Sequence, residues 1–323
     1  MKQYPINKHL PNASQISYGC MGLGGGWNNN SVSSDDVSQA RQVIETALEA
    51  NINLFDHADI YTFGKAETAF GEVLKQTPSL RDKIYIQSKC GIRFEDQSVP
   101  GRYDFSADWV THSVHKSLER LHTESLDILL LHRPDPLMDV EELASTLNTL
   151  HQAGKIQHLG VSNMSLHQIQ FLQSHLDMPI IANQIEMSLA KLDWVNEGVM
   201  VGSEGDHKNN YTAGTIEHCR LNNIQIQAWG CLAQGAFSQQ GLDSEYQHIR
   251  ETTEYVMALS QKYSVPSEAI VLAFLLRHPA HIQPVIGTTN IERIKASSLA
   301  TGIQLTREEW YSLFIKARDS KLP

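Results

Sequence analysis

The chain has 323 residues, 41% hydrophobic and 19% charged, with a formal charge of −10, enough to build a large α/β domain with a sizeable core. The acidic balance leaves no electrostatic footprint for nucleic acid, and no apolar run reaches the roughly 18 to 20 residues that a spanning helix requires. The opening from Met1 to Leu10 is polar rather than signal-like, so the expectation is a cytoplasmic protein without membrane association, one domain over 1–323, monomeric or a small homo-oligomer.

In chain order, short apolar runs that read as buried strands fall around Cys20 to Leu23, Ile52 to Phe55, Ile84 to Gln87, Leu126 to Leu131, His158 to Val161, Ile180 to Ile185, Ile224 to Ala228 and Gln283 to Ile286. Helical patterns with start signals lie between them. Ser34, Asp35 and Asp36 precede a pattern from Val37 to Ala50 that stops at Asn51, and Ser106, Ala107 and Asp108 precede one from Val110 to Leu121. Eight strands alternating with helices predict a closed (β/α)8 TIM barrel. A polar insertion from Leu192 to Gly214 and an additional C-terminal helix from Leu305 to Ala317 exceed the barrel's minimum, and both are placed to cover the pocket mouth.

A doubly wound open sheet is the competing architecture. Its glycine fingerprint opens a helix, whereas Gly22-Leu23-Gly24-Gly25-Gly26 runs into Trp27 and a string of Asn, so this stretch reads as a loop. Cys20, Cys90, Cys219 and Cys231 lack C-x-x-C spacing and read as buried thiols. The 15 His include no H-x-H or H-E-x-x-H pair, so no metal site is expected.

Asp56, Lys89 and His132 each sit at the downstream end of an apolar run, with Tyr61 just beyond the first. In a parallel barrel those ends share one rim, so the four side chains converge. Together they make a proton-donating group for a carbonyl oxygen that gains negative charge. A phenol with an ordinary pKa of about 10 becomes a better acid beside an ammonium. Lys89 supplies the ammonium, Asp56 holds it, and a neutral His132 donates a hydrogen bond that orients the carbonyl.

Phe55-Asp56-His57-Ala58-Asp59-Ile60-Tyr61 with Gly64-Lys65-Ala66-Glu67, then Gln87-Ser88-Lys89, Asp127-Ile128-Leu129-Leu130-Leu131-His132-Arg133-Pro134 and Gly160-Val161-Ser162-Asn163, together resemble the signature of the aldo-keto reductases, here a bacterial-type member. The resemblance runs from about the first strand to Arg293. It implies a (β/α)8 barrel with a small N-terminal β-hairpin, NADPH (NADP+) bound in an extended pose, and metal-free reduction of aldehydes or ketones. It makes Tyr61 the general acid, Lys89 and Asp56 its tuning pair and His132 the orienting group.

The resemblance also assigns cofactor residues. Ser162, Asn163 and Gln184 hold the nicotinamide amide, and Trp229 stacks on the ring. Gly230, Leu232, Gln234 and Gly235 belong to the loop around the pyrophosphate. Gly287, Thr288 and Thr289 lead into a helix whose Arg293 meets the 2′-phosphate. Many relatives have Lys where this chain has Gly287, and Glu and Asn at Ala296 and Ser297, which weakens the case for strict NADP preference.

Trp27, Phe63 and Trp194 fall in loops after strands one, two and six and are expected to wall an apolar substrate pocket. Two other classes stay open. The same barrel serves in some relatives as a cofactor-binding regulatory subunit with little turnover. A metal-dependent hydrolase using Asp56, His57, Asp59 and His132 has only the weak His57-x-Asp59 pair in its favour.

Overall fold

The computed structural model describes residues 3–203 and 209–323. Its strands are β1 (Ser17–Gly19), β2 (Leu54–Asp56), β3 (Tyr85–Cys90), β4 (Ile92–Arg93), β5 (Arg102–Tyr103), β6 (Leu126–Leu131), β7 (Ile156–Ser162), β8 (Ile180–Glu186), β9 (Gln225–Trp229) and β10 (Gln283–Ile286). The helices are α1 (Ser34–Glu49), α2 (Lys65–Gln76), α3 (Ala107–Leu121), α4 (Val140–Gln152), α5 (Leu166–Gln173), α6 (Asp193–Met200), α7 (Thr215–Leu221), α8 (Gln247–Tyr263), α9 (Ser267–Leu276), α10 (Ile291–Ser298) and α11 (Arg307–Ala317). Strands β1, β2, β3, β6, β7, β8, β9 and β10 close into a parallel barrel in the order β1-β10-β9-β8-β7-β6-β3-β2. This is the (β/α)8 architecture expected from the alternation of runs.

Local chemistry explains the boundaries. Ser33 caps α1 and forms a reciprocal box with Asp36, and Asn51 takes the left-handed stop at φ 58°. Asp139 accepts from the first amides of α4. Helix α9 is buried along almost its whole length, as suits a helix wedged between the barrel and its neighbours. The four thiols are free and buried.

Three expectations need correction. The first strand is Ser17–Gly19, upstream of the apolar run, and Cys20–Gly22 forms a 3-10 turn. Barrel strands are buried on both faces, so a strand with satisfied polar groups serves as well: Ser17 Oγ donates to the Leu54 carbonyl at 3.0 Å. In place of an N-terminal hairpin, Pro5–Lys8 is a 3-10 turn. Pro5 has no N–H to give a ladder, and Asn7 Oδ1 accepts from the Tyr4 amide. The buried Ile6 then sits at the start of β9, where its amide donates to Gln225. The antiparallel pair in this chain is β4 with β5, just past β3. Finally, α11 packs on α9, with Trp310 stacked on Phe274 at 4.9 Å, and no residue of α6 or α11 lines the cavity at the barrel mouth. Of the 192–214 insertion, 204–208 lie outside the described residues.

Candidate active site

Strand direction delivers the functional side chains to one rim. Asp56 ends β2, Lys89 is the penultimate residue of β3, His132 follows β6, Ser162 ends β7, Gln184 lies near the end of β8 and Trp229 ends β9. Asp56, Tyr61, His132, Ser162, Asn163, Gln184 and Trp229 all line one cavity of about 690 Å³.

Lys89 forms the floor of the proton-donating group. Its Nζ donates to Asp56 Oδ2 at 2.8 Å, to the His57 carbonyl at 2.8 Å and to Tyr61 Oη at 2.9 Å. All three donors are engaged, as a buried ammonium requires. Burial alone would lower the Lys89 pKa, but Asp56 and Tyr61 together raise it above the ordinary value, so the ammonium is charged. Burial raises the Tyr61 phenol above its ordinary value, and Lys89 pulls it only part of the way back. The net direction is therefore opposite to the expectation from the ammonium alone, and Tyr61 holds its proton at neutral pH. His132 is pushed well down, by burial first and then by Lys89 and Arg133, which leaves it neutral. Its ring lies edge-on to Tyr61, with centroids 6.0 Å apart.

The backbone around Tyr61 is strained. Thr62, Phe63 and Gly64 follow it at φ 49°, 60° and 84°, a left-handed run that costs Thr and Phe roughly 1–3 kcal/mol each. The buried Thr62 hydroxyl donates to the Leu23 carbonyl at 3.0 Å and helps to hold the turn.

Behind the quartet lie residues, several of them within the quoted motifs, whose roles in supporting it the sequence did not reveal. Glu67 of α2 is fully buried. It accepts from Ser88 Oγ at 2.6 Å and from Arg120 Nε at 2.8 Å, joining α2, β3 and α3. The Asp59 amide donates to the Lys89 carbonyl at 3.0 Å, which ties the loop before Tyr61 to β3. Burial and the Glu67 charge raise the Asp59 carboxyl to about 7, and its Oδ1 has no hydrogen-bond partner. A buried amide network fills the barrel: Gln227 exchanges hydrogen bonds with Gln87, donates to Gln283 and accepts from Gln184. Gln87 also donates to Asp56. The signals were the period-two spacing of Gln225, Gln227 and Trp229, and a Glu on the apolar side of α2. His57, the other half of the weak metal pair, is buried against Phe70 with centroids 4.6 Å apart. Among the described residues no three His, Cys, Asp or Glu side chains are grouped to hold a metal ion.

The remaining rim is polar on one side and glycine-rich on the other. Trp229 Nε1 donates to Asn163 Oδ1 at 3.1 Å, and Asn163 Nδ2 donates to Ser162 Oγ at 2.7 Å, so the indole is pinned in orientation. Gly230 and Gly235 take φ 65° and 85°, with Ala233 and Gln234 also left-handed between them. Leu232, Gln234, Gly287, Thr288 and Arg293 line the same cavity, whereas Thr289 does not. Arg293 is 63% exposed and only 4.0 Å from Glu268, a weak engagement that leaves most of its donors free.

Of the three aromatic residues expected to wall a substrate pocket, Trp27 lines the cavity. Phe63 stands beside it, half-exposed, with its ring 5.3 Å from Trp27 and 5.2 Å from Phe94. Trp194 is elsewhere: it is 2% exposed and packs on Phe274 and His278. A large aromatic after a strand anchors a helix as readily as it walls a pocket.

Comparison with known proteins places this arrangement. The model of the aldo/keto reductase family matches residues 15–316. Oxidoreductase YdhF of Escherichia coli (strain K12) is 36% identical over 279 residues, covering 85% of this chain and 87% of the relative. A 6-dehydroglucose reductase of Agrobacterium fabrum is 34% identical over 279 residues, covering 85% and 86%. The fold is similar to that of a glycerol dehydrogenase from Gluconobacter oxydans, with a TM-score of 0.76 at 21% identity, over 97% of this chain and 96% of that one. It is also similar to an aldo/keto reductase from Klebsiella pneumoniae solved with NADP and acetate, with a TM-score of 0.67 at 21% identity, over 96% and 93%. A barrel with this rim is an oxidoreductase scaffold. The chain belongs to the aldo/keto reductase family, and its relatives support a carbonyl-reducing oxidoreductase.

Proposed function

We propose that this chain, as a single domain, reduces an aldehyde or ketone to the alcohol with NADPH, Tyr61 giving the proton. The observation that carries the reading is the 2.9 Å contact between Tyr61 Oη and a Lys89 ammonium also held by Asp56. A nicotinamide held by Ser162, Asn163, Gln184 and Trp229 would supply the hydride for the carbonyl carbon. As the carbonyl oxygen gains charge, Tyr61 donates its proton, and the phenolate left behind is stabilised by Lys89 at hydrogen-bond distance. Neutral His132 donates a second hydrogen bond to the same oxygen and orients the carbonyl.

The cavity fits the cofactor. Ser162, Asn163 and Gln184 offer donors and acceptors matched to a carboxamide, and Trp229, fixed by Asn163, offers a ring face. Gly230 and Gly235, both at left-handed φ, put no side chain of their own on the part of the rim proposed for a pyrophosphate, and a Cβ on Gly287 would meet nothing closer than the Gly19 carbonyl at 4.0 Å. Arg293, on the first turn of α10, fits a 2′-phosphate. The 6-dehydroglucose reductase and the NADP-bound Klebsiella protein are consistent with a carbonyl substrate and with this cofactor.

The test is NADPH oxidation with 4-nitrobenzaldehyde by the purified protein. Turnover that persists with a chelator supports the reading. Tight NADPH binding without turnover across a panel of aldehydes and ketones overturns it in favour of a regulatory subunit.

A further inference from the structure

Arg133 follows His132 directly and lines the catalytic cavity, yet the proton-donating group makes no use of it. Its guanidinium lies 5.5 Å from the centroid of Trp229. Trp229 is on β9, three places round the barrel from β6, so the side chain reaches across the mouth rather than away from it.

The group is partly buried, and among the described residues it makes no hydrogen bond or ion pair. Asp135, the carboxylate nearest in sequence, is committed elsewhere: it accepts from the Phe105 amide at 2.9 Å and the Leu137 amide at 2.8 Å. Of the other charged residues of the cavity, Asp56 is held by Lys89, while Arg293, on α10, is only weakly engaged with Glu268 at 4.0 Å. Arg133 is thus the uncompensated charge beside the reacting end. It also acts on its neighbour, since it helps to keep His132 neutral. A planar guanidinium with free donors in a partly dry site is suited to a carboxylate or another anionic oxygen pair. The same cavity has apolar lining in Trp27, Met21 and Ile60.

We propose that Arg133 is a specificity-determining residue that selects aldehydes carrying an anionic group, such as a carboxylate, on an apolar or aromatic body. The proposal rests on the carbonyl-reductase reading and adds the class of substrate to it.

The test compares 3- and 4-carboxybenzaldehyde with their nitro counterparts, which are close in shape and uncharged, in the wild type and in Arg133→Met. For each pair the ratio of kcat/KM is taken, so that the electronic effect of the substituent cancels between the two proteins. The expected result is that, for at least one isomer, the wild-type preference for the carboxylate falls about tenfold or more in Arg133→Met, mainly through KM. Ratios that are the same in both proteins overturn the proposal. So does a rise in the KM for NADPH with unaltered ratios, which would move Arg133 to the cofactor.

Absence of turnover with any aldehyde would sink the reductase reading instead. Calorimetry of 4-(hydroxymethyl)benzoate binding then decides on Arg133 separately. Affinity lost in Arg133→Met supports the anion site, and equal affinity overturns it.

Discussion

Replacing Asp59 by Asn tests the electrostatics behind the site. In the fold the Asp59 carboxyl titrates at about 7, against an ordinary value of 3.8, because it is buried and faces Glu67. Below pH 3.8 both folded and unfolded chains hold the proton, and the group's contribution to stability is fully present. As pH rises towards 7 the unfolded chain releases a proton that the fold keeps, and the contribution is lost. At 1.36 kcal/mol per pH unit, the loss totals about 4 kcal/mol, of which about 3 kcal/mol falls between about pH 5 and pH 8. Asn at this position carries no titrating proton. The gap in unfolding free energy between Asp59→Asn and the wild type should therefore move in the variant's favour by about that amount over this window. Urea unfolding of both proteins at the two pH values reads the gap directly, and groups common to the two proteins cancel. A gap that is the same at both pH values would refute the account of Asp59 as a carboxyl kept protonated by burial.

Further outcomes follow from other parts of the structure. Arg293→Ala should raise the KM for NADPH about tenfold or more, and that for NADH far less, because under the proposed function the guanidinium would meet only the 2′-phosphate; equal effects would remove Arg293 from the phosphate site. Gly71→Ala would place a Cβ 2.0 Å from the Arg120 carbonyl oxygen, a backbone atom of α3 that cannot swing away. It should cost about 3 kcal/mol or more, visible as a lower thermal midpoint, and an unchanged midpoint would show that α2 and α3 have room to separate.

The barrel was legible because its strands are apolar runs that stop at polar residues. Leu126–Leu131 and Gln283–Ile286 fall where the runs place them. The convergence of Asp56, Tyr61, Lys89 and His132 follows from the same rule, since parallel strands share one rim. What was hidden depends on contacts between distant segments. Glu67 and Arg120 are far apart in sequence and meet only because α2 packs on α3. Likewise, Gln87 and Gln227 pair across the barrel interior. Trp194 was misassigned because position after a strand does not say whether a ring turns to the cavity or to the next helix. The direction of the Tyr61 pKa was misjudged for a related reason: the ammonium was visible in the sequence, while the burial that outweighs it was not.

The most direct test is a single-turnover measurement on protein loaded with NADPH and mixed with 4-nitrobenzaldehyde. The rate of NADPH oxidation in Tyr61→Phe should fall roughly 10²- to 10⁴-fold below wild type, the usual contribution of a positioned general acid, while NADPH affinity is retained. Oxidation of NADPH at the wild-type rate in Tyr61→Phe would contradict the assignment of the proton to Tyr61.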